Sequence, residues 1–327
     1  MIRREFIKNS TLAGLAFSQP AGSFFIPTQT KKYRTVIIGA GWWGNNILGE
    51  AMASGACEIV GVCDVDQNLV DETVERVEKL MGNRPKKYTD YRELLNDLKP
   101  DIAIIATPEH WHALQTIDAL KTGCHVYVEK PIAHTINEGK AIVAAQKKYG
   151  KVIQVGLHRR TSPHIIKGQE MLKNGEVGDV KMIRACVYSR TTETMVKPTD
   201  NPPDYLDWDL YLGPAAYQPY EPSVHPRGFR KYLNMTNGTI GDWGVHWMDQ
   251  ILWWSEEQYP KKIYSTGGMV NPGCGYDAPD YQSATFDFDS FIVEWEHRRL
   301  GGSGSEKSPV GTYFYGTKGV LFMGFYD

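Results

Sequence analysis

The sequence predicts an α/β protein: an N-terminal, doubly wound parallel sheet of the Rossmann type, then an α+β domain with an open mixed or antiparallel sheet. Two observations carry this. From Tyr33 onward, short apolar runs alternate with amphipathic helical stretches, the pattern of parallel strands covered by helices on both faces. The first run passes directly into a glycine-rich turn, GAGWWG at 39–44, which opens a helical stretch.

Five strands are expected in the first domain, at 33–39, 58–64, 101–107, 125–130 and 152–156. The stretches between them, LVDETVERVEKL and INEGKAIVAAQKKYG among others, repeat apolar residues at three- and four-residue spacing and predict helices. Asp90 with Glu93 predicts a capping box. In the second domain KMIRACVYSR, KKIYSTGGMV, ATFDFDSFIVEWEHRR and GTYFYGTKGVLF alternate as strands do. Residues 207–232, rich in proline and aromatics, read as a long shaped loop. Trp208, Tyr211, His225 and Arg230 in it are candidates either to meet a substrate or to clamp the loop to the sheet. The expected division is 1–30, a signal and linker; 31–156, the dinucleotide-binding domain; and 157–327, the substrate and oligomerisation domain.

Composition excludes several classes. A chain of 327 residues is long enough for two filled cores. A net charge of -2 offers no basic field for nucleic acid. Five cysteines without a CxxC pair argue against a zinc site or a disulfide framework, and Cys63, inside a strand pattern, reads as a small buried hydrophobe. The chain opens RREFIK ahead of a short apolar run, which is similar to a twin-arginine signal for export of folded proteins and predicts a periplasmic location. That run is too short to cross a bilayer, so no stable membrane insertion is expected.

The glycine turn has a physical reading. Gly39 permits the tight turn, Gly41 lets backbone N–H groups approach a pyrophosphate, and Gly44 lets helix and strand pack closely. The helix N-terminus then faces phosphate charge. Asp64, ending the next strand, would accept hydrogen bonds from ribose hydroxyls and repel a 2′-phosphate. With Val65 rather than Arg beside it, NAD is expected over NADP. Thr107 and Pro108 end a further strand where such folds meet their cofactor. His110 and His112 lack a nearby third metal ligand.

Glu129-Lys130-Pro131 also ends a strand, a place from which a lysine can polarise an alkoxide or carbonyl. Pro131 would fix the chain direction after it. In TIGDWGVHWMDQILWW a helix is expected from about Gly241, with Asp242, His246 and Asp249 on one stripe and Trp243, Trp247, Ile251 and Trp254 on another that packs into the core. An acid and an imidazole one turn apart suit alcohol oxidation: His246 takes the hydroxyl proton, and Asp242 orients that imidazole or holds a neighbouring hydroxyl. A capping aspartate with a satisfied core histidine explains the same letters. So does a metal site of Asp242, His246 and Asp249, though no fourth ligand is evident.

Together these motifs resemble the Gfo/Idh/MocA oxidoreductase family: the glycine turn, Thr107-Pro108, Glu129-Lys130-Pro131, VGLHRR (155–160), NGEVGDV (174–180) and GDWGVHWMD (241–249). The resemblance implies catalytic roles for Lys130, Asp242 and His246, and substrate contact for Arg159 with those three. It implies cofactor contacts from Gly39, Gly41, Trp42, Trp43, Gly44, Asp64, Thr107, Pro108, His112, Glu129 and Lys130. It further implies sugars or cyclitols as substrates and a homo-oligomer formed through the second sheet. Members of the family continue past the last strand found here, so the second sheet is expected to be truncated.

Three activities are compatible with these residues. The first is net oxidation of a carbohydrate hydroxyl with a tightly held cofactor. The second is a redox-neutral glycoside hydrolysis by oxidation, elimination, hydration and reduction, although the His-Cys-Cys-Tyr type motif of one such branch is absent. The third is a non-catalytic sugar or nucleotide sensor, against which the intact Lys130, Asp242 and His246 argue.

Overall fold

In the computed structural model, residues 31–189, 199, 201–270, 276–300 and 308–325 are described. The expected export signal and Cys274 lie outside them. The first sheet begins with β1 (Tyr33–Ile38), β2 (Cys57–Cys63) and β3 (Lys86–Tyr88) and continues with β4 (Ile102–Ile105), β5 (His125–Val128) and β6 (Ile153–Val155). Its order is β3-β2-β1-β4-β5-β6 and every pairing is parallel. The chain order reverses between β1 and β4, so the carboxyl ends of those strands form the crevice where ligands sit in such sheets. Strand β3 is an addition to the five expected. It is three residues long and begins with two exposed lysines, which leaves no apolar run to read but protects a sheet edge.

Helices α1 (Trp42–Ala53), α2 (Gln67–Met81), α3 (Tyr91–Leu98), α4 (Glu109–Lys121) and α5 (Ile136–Tyr149) cover both faces. The strands bury Val36, Ile38, Ala103 and Ile105 on one side and Ile37, Ile59, Val62 and Ile104 on the other, as a two-sided core requires. The capping box is not at Asp90, whose carboxylate accepts the N–H of Arg92 and pairs with its guanidinium. Thr135 and Glu138 form the reciprocal pair instead, at the start of α5.

After α6 (Pro163–Lys173) comes the second sheet, with β7 (Val180–Tyr188), β8 (Lys262–Gly268), β9 (Tyr281–Asp287), β10 (Ile292–Arg298), β11 (Val310–Gly316) and β12 (Val320–Gly324). Its order is β12-β11-β7-β10-β9-β8. Only β7 and β10 run parallel, so the sheet is mixed. One face packs on α6 and on α8 (Val245–Ser255), burying Ile183, Ile251, Val293 and Phe314. The expected core stripe holds: Trp247 and Ile251 are fully buried, and Trp243 and Trp254 pack at the edges of the two clusters on this sheet.

The long loop has its own core of Leu206, Trp208, Tyr211, Tyr220, Val224 and Phe229, with the short helix α7 (Trp208–Leu212) inside it. It is clamped to the first domain, and its Lys231 carbonyl also accepts the N–H groups of Asp277 and Ala278 ahead of β9. Asp207 N donates to Val65 O (3.0 Å), Gln67 N to Tyr205 O (2.9 Å), and the Trp111 indole to Tyr211 O (3.1 Å). The loop therefore lies over the β2–α2 turn, beside Asp64.

Candidate active site

Every residue expected to bind cofactor or substrate lines one cavity of about 650 Å³. Its floor is the glycine turn. Gly39 has φ +95°, and a Cβ there would meet the Ala106 carbonyl carbon at 2.6 Å. A Cβ on Gly44 would sit 2.0 Å from Gly39 O, so strand and helix touch only because both residues lack side chains. A Cβ on Gly41 would meet nothing within 4 Å, and this glycine borders the cavity. No side chain caps α1 at Gly41, so the first N–H groups of the helix are open to an anion. A pyrophosphate fits this cradle.

Asp64 ends β2 with both carboxylate oxygens against backbone N–H groups, those of Ala40 (2.7 Å) and Asp66 (3.0 Å). Burial outweighs these bonds and pushes its pKa up to about 6. Thr107 donates to Gln115, and Pro108 is the N-cap of α4. His112 lines the cavity, yet its ring nitrogens face the carbonyls of Pro131 (2.7 Å) and Thr107 (2.8 Å). Burial lowers its pKa, so the neutral ring donates to one of these carbonyls, and both nitrogens are turned to the protein rather than to a ligand. His110 is outside the cavity wall and bonds Tyr211 O. Glu129 accepts from the Tyr127 hydroxyl and the Lys130 N–H, and burial raises its pKa.

The reactive end is built from both sheets. Lys130 Nζ donates to the Asp242 carbonyl (2.8 Å) and carboxylate (2.5 Å), and Arg230 Nε lies 3.2 Å from the other carboxylate oxygen. Burial opposes the Asp242 charge, but the two cations outweigh it and hold its pKa at about 2. Asp242 therefore positions the ammonium; it makes no hydrogen bond to His246, contrary to the expected orienting role. The reason is local. Ile240–Gly244 is a π-helical turn preceding α8, so Asp242 and His246 are not successive positions on one α-helical stripe. Asp249 is held by Arg160 through two bonds of 2.8 and 2.6 Å, and the three-residue metal site does not form.

His246 is buried, and its Nδ1 is sealed without a partner. Burial first, then the charges of Lys130 and Arg159 and the His158 ring, lower its pKa to about 2, so the ring is neutral. Arg159 donates to Phe325 O (2.7 Å) and lies over the Phe325 ring, at the cavity wall.

Two contributors went unmarked in the sequence. His158 stacks edge-on against His246, with centroids 4.8 Å apart, and its other face meets Trp43 at 5.0 Å. Its position within VGLHRR, just past β6, was the available signal. Arg227 covers the exposed Trp42 ring at 4.6 Å, and His225 Nε2 lies 3.6 Å from Asp66, so the loop closes over the cofactor crevice. Of the four loop residues singled out, Tyr211, His225 and Arg230 line the cavity, while Trp208 stacks on Tyr211 inside the loop.

A Rossmann domain whose crevice is finished by side chains from a second, mixed-sheet domain defines a dinucleotide-dependent two-domain protein. The family models agree. Residues 33–157 match the NAD-binding Rossmann fold of the Gfo/Idh/MocA oxidoreductases, and residues 187–269 match the C-terminal alpha/beta domain of that oxidoreductase family. The chain belongs to the Gfo/Idh/MocA family.

Among curated relatives, glycosyl hydrolase family 109 protein 1 of Akkermansia muciniphila is 30% identical over 169 residues, 49% of this chain and 34% of that protein. Inositol 2-dehydrogenase of Salmonella typhimurium is 28% identical over 158 residues, 48% of this chain and 46% of that protein. The matched part thus spans less than half the length of these relatives. Among solved structures, the WlbA dehydrogenase of Chromobacterium violaceum, in complex with NADH and UDP-GlcNAcA, has a TM-score of 0.69 at 18% identity, covering 95% of this chain and 77% of that one. Myo-inositol 2-dehydrogenase of Lactobacillus plantarum has a TM-score of 0.67 at 19% identity, covering 90% and 77%. At these identities the structures share the fold.

The Asp64 carboxylate gives a pH test. Its pKa is raised, so it is protonated below about pH 6 and ionised above. If Asp64 accepts a ribose hydroxyl, that acceptor is lost as pH falls through 6 and NAD affinity should fall. Titration calorimetry from pH 5 to 8 should show this weakening in the native protein and not in Asp64→Asn.

Proposed function

We propose that this protein oxidises a hydroxyl of a sugar, cyclitol or related carbohydrate in an NAD-dependent reaction. The observation that carries the reading is the meeting, in one cavity with the glycine turn, of Lys130 from the first sheet and His246 from the second domain. A nicotinamide dinucleotide held there supplies the hydride acceptor. Lys130, fixed by Asp242, puts its ammonium beside the reacting oxygen and lowers the proton affinity of the hydroxyl. His246, neutral across the physiological range, holds the lone pair that takes the proton.

His158 favours a second reading, a redox-neutral glycoside hydrolysis in which the hydride removed is returned at the end. Burial holds His158 neutral, and it stands beside His246 as a second group able to accept a proton from the carbon next to a newly formed carbonyl. The loop that lays Arg227 over Trp42 beside the glycine turn supports retention of the cofactor in either case.

His246→Ala and Lys130→Ala should each retain NAD, seen by absorbance of the purified protein, and reduce turnover by at least ~10²-fold. Unchanged turnover in both removes the assignment. With the native protein, NADH accumulation on adding sugar marks the dehydrogenase; exchange of a ring hydrogen with solvent during glycoside cleavage marks the hydrolase. Dinucleotide and sugar binding without either marks a sensor.

We also propose export of the folded, cofactor-loaded protein, on the strength of Arg3 and Arg4 in the opening RREFIK. Fractionation should find the native chain in the periplasm and an Arg3→Lys, Arg4→Lys double variant in the cytoplasm with NAD bound; periplasmic recovery of both would overturn it. Oligomerisation is the third part of the proposal. Tyr264, Ile292 and Val320 are exposed on the second sheet, and with Tyr313 and Phe322 they share the face turned away from α6 and α8. Light scattering should report a multiple of the 36.9 kDa chain, reduced to one chain by Tyr313→Glu with Phe322→Glu. A native monomer sinks that part.

A further inference from the structure

We propose that a second, smaller cavity is a subsite for an oxyanion on the substrate, so that the carbohydrate handled at the main cavity is an acidic one. This rests on the oxidoreductase reading above. The small cavity, about 170 Å³, shares Arg230, Asp242 and Trp243 as walls with the large one. Beyond them it is lined by Arg298 and Arg299 at the end of β10, with Tyr188, Thr239 and His297.

Among the described residues lining it, three guanidiniums face one carboxylate. Asp242 is its one carboxylate among the described residues, and Lys130 already holds it from the other side. Arg298 pairs with Glu296 at 2.8 Å while its guanidinium lies flat over the Tyr188 ring at 3.6 Å. Arg299 forms no ion pair among the described residues; its guanidinium stands 5.9 Å from the Tyr276 ring. A half-buried guanidinium with no carboxylate partner among the described residues, beside a second guanidinium, is an arrangement that can bind two oxygens of a carboxylate, sulfate or phosphate. His297, bonded through Nε2 to Pro279 O (3.0 Å), packs behind this wall with its Nδ1 sealed from solvent. The volume allows about five or six water-sized groups, enough for one oxyanion and its carbon and too little for a nucleotide. Because the Arg230–Asp242 pair is the shared wall, the oxyanion would sit a short distance from the reacting carbon on the same sugar.

The test is calorimetric binding of three probes to the full chain carrying its dinucleotide: methyl glucoside, methyl glucuronide and glucose 6-sulfate. An acidic probe should bind at least ~10-fold tighter than the neutral one in low salt. The advantage should shrink as salt is raised and should be lost in Arg299→Gln. Which acidic probe binds tighter tells carboxylate from sulfate. Acidic probes binding no tighter than methyl glucoside would overturn the proposal, as would a preference that survives both high salt and Arg299→Gln. The salt series on the native chain decides the matter even if the variant does not fold. Since binding is read without turnover, a protein that oxidises neutral sugars while ignoring acidic probes sinks the subsite alone. Binding that depends on Arg299, with no hydride transfer to any sugar, sinks the oxidoreductase reading alone.

Discussion

The ion pair between Lys130 and Asp242 is the constraint around which the site is arranged. Lys130 stands at the end of a strand in one sheet, and Asp242 in a π-helical turn that packs on the other. Both side chains are mostly removed from solvent, and a charge left alone in such a place costs on the order of 3 kcal/mol or more. Each therefore requires the other, and the lysine is fixed in direction by accepting groups on the same residue, one carbonyl and one carboxylate oxygen. That fixed ammonium then governs its surroundings. It keeps Asp242 ionised against burial, and with burial and Arg159 it keeps His246 neutral.

Lys130 and His246, two groups able to carry positive charge, share one small space. Burial and pairing separate their charge states. The positive charge stays on the group with a carboxylate partner, and the imidazole, without a partner at Nδ1, stays uncharged. The aromatic series from Trp42 through Trp43 and His158 to His246 runs from the start of α1 to α8, so the glycine turn and the imidazole wall are held by one run of ring contacts. The loop folded on the β2–α2 turn completes the enclosure, which raises the weight of every charge inside by excluding water.

Much of this was legible in the residues. GAGWWG after an apolar strand, with Asp64 at the end of the next, predicted the crevice, because only glycine tolerates the φ at Gly39 and the Gly44–Gly39 approach. The places of Lys130 just past a strand and His246 on a helix were legible too, and both side chains line the cavity. The partner of Asp242 was not. An α-helical stripe put it with His246 and Asp249, and the π turn broke that register. Strand β3 was hidden by its length, and His158 by its place in a segment with no periodicity to mark a face.

By itself the sequence determined what local physics can carry: the alternation of strands and helices, the glycine turn, the acid that follows it, and the types of residue available for proton transfer. The tertiary structure alone decided which charges meet. Lys130 and Asp242 are 112 residues apart, and Arg299 shares a cavity with Arg298 and Arg230 only where β10 ends against the turn bearing Asp242. Such pairings depend on how two sheets and a covering loop close on one another, and no periodicity along the chain records that.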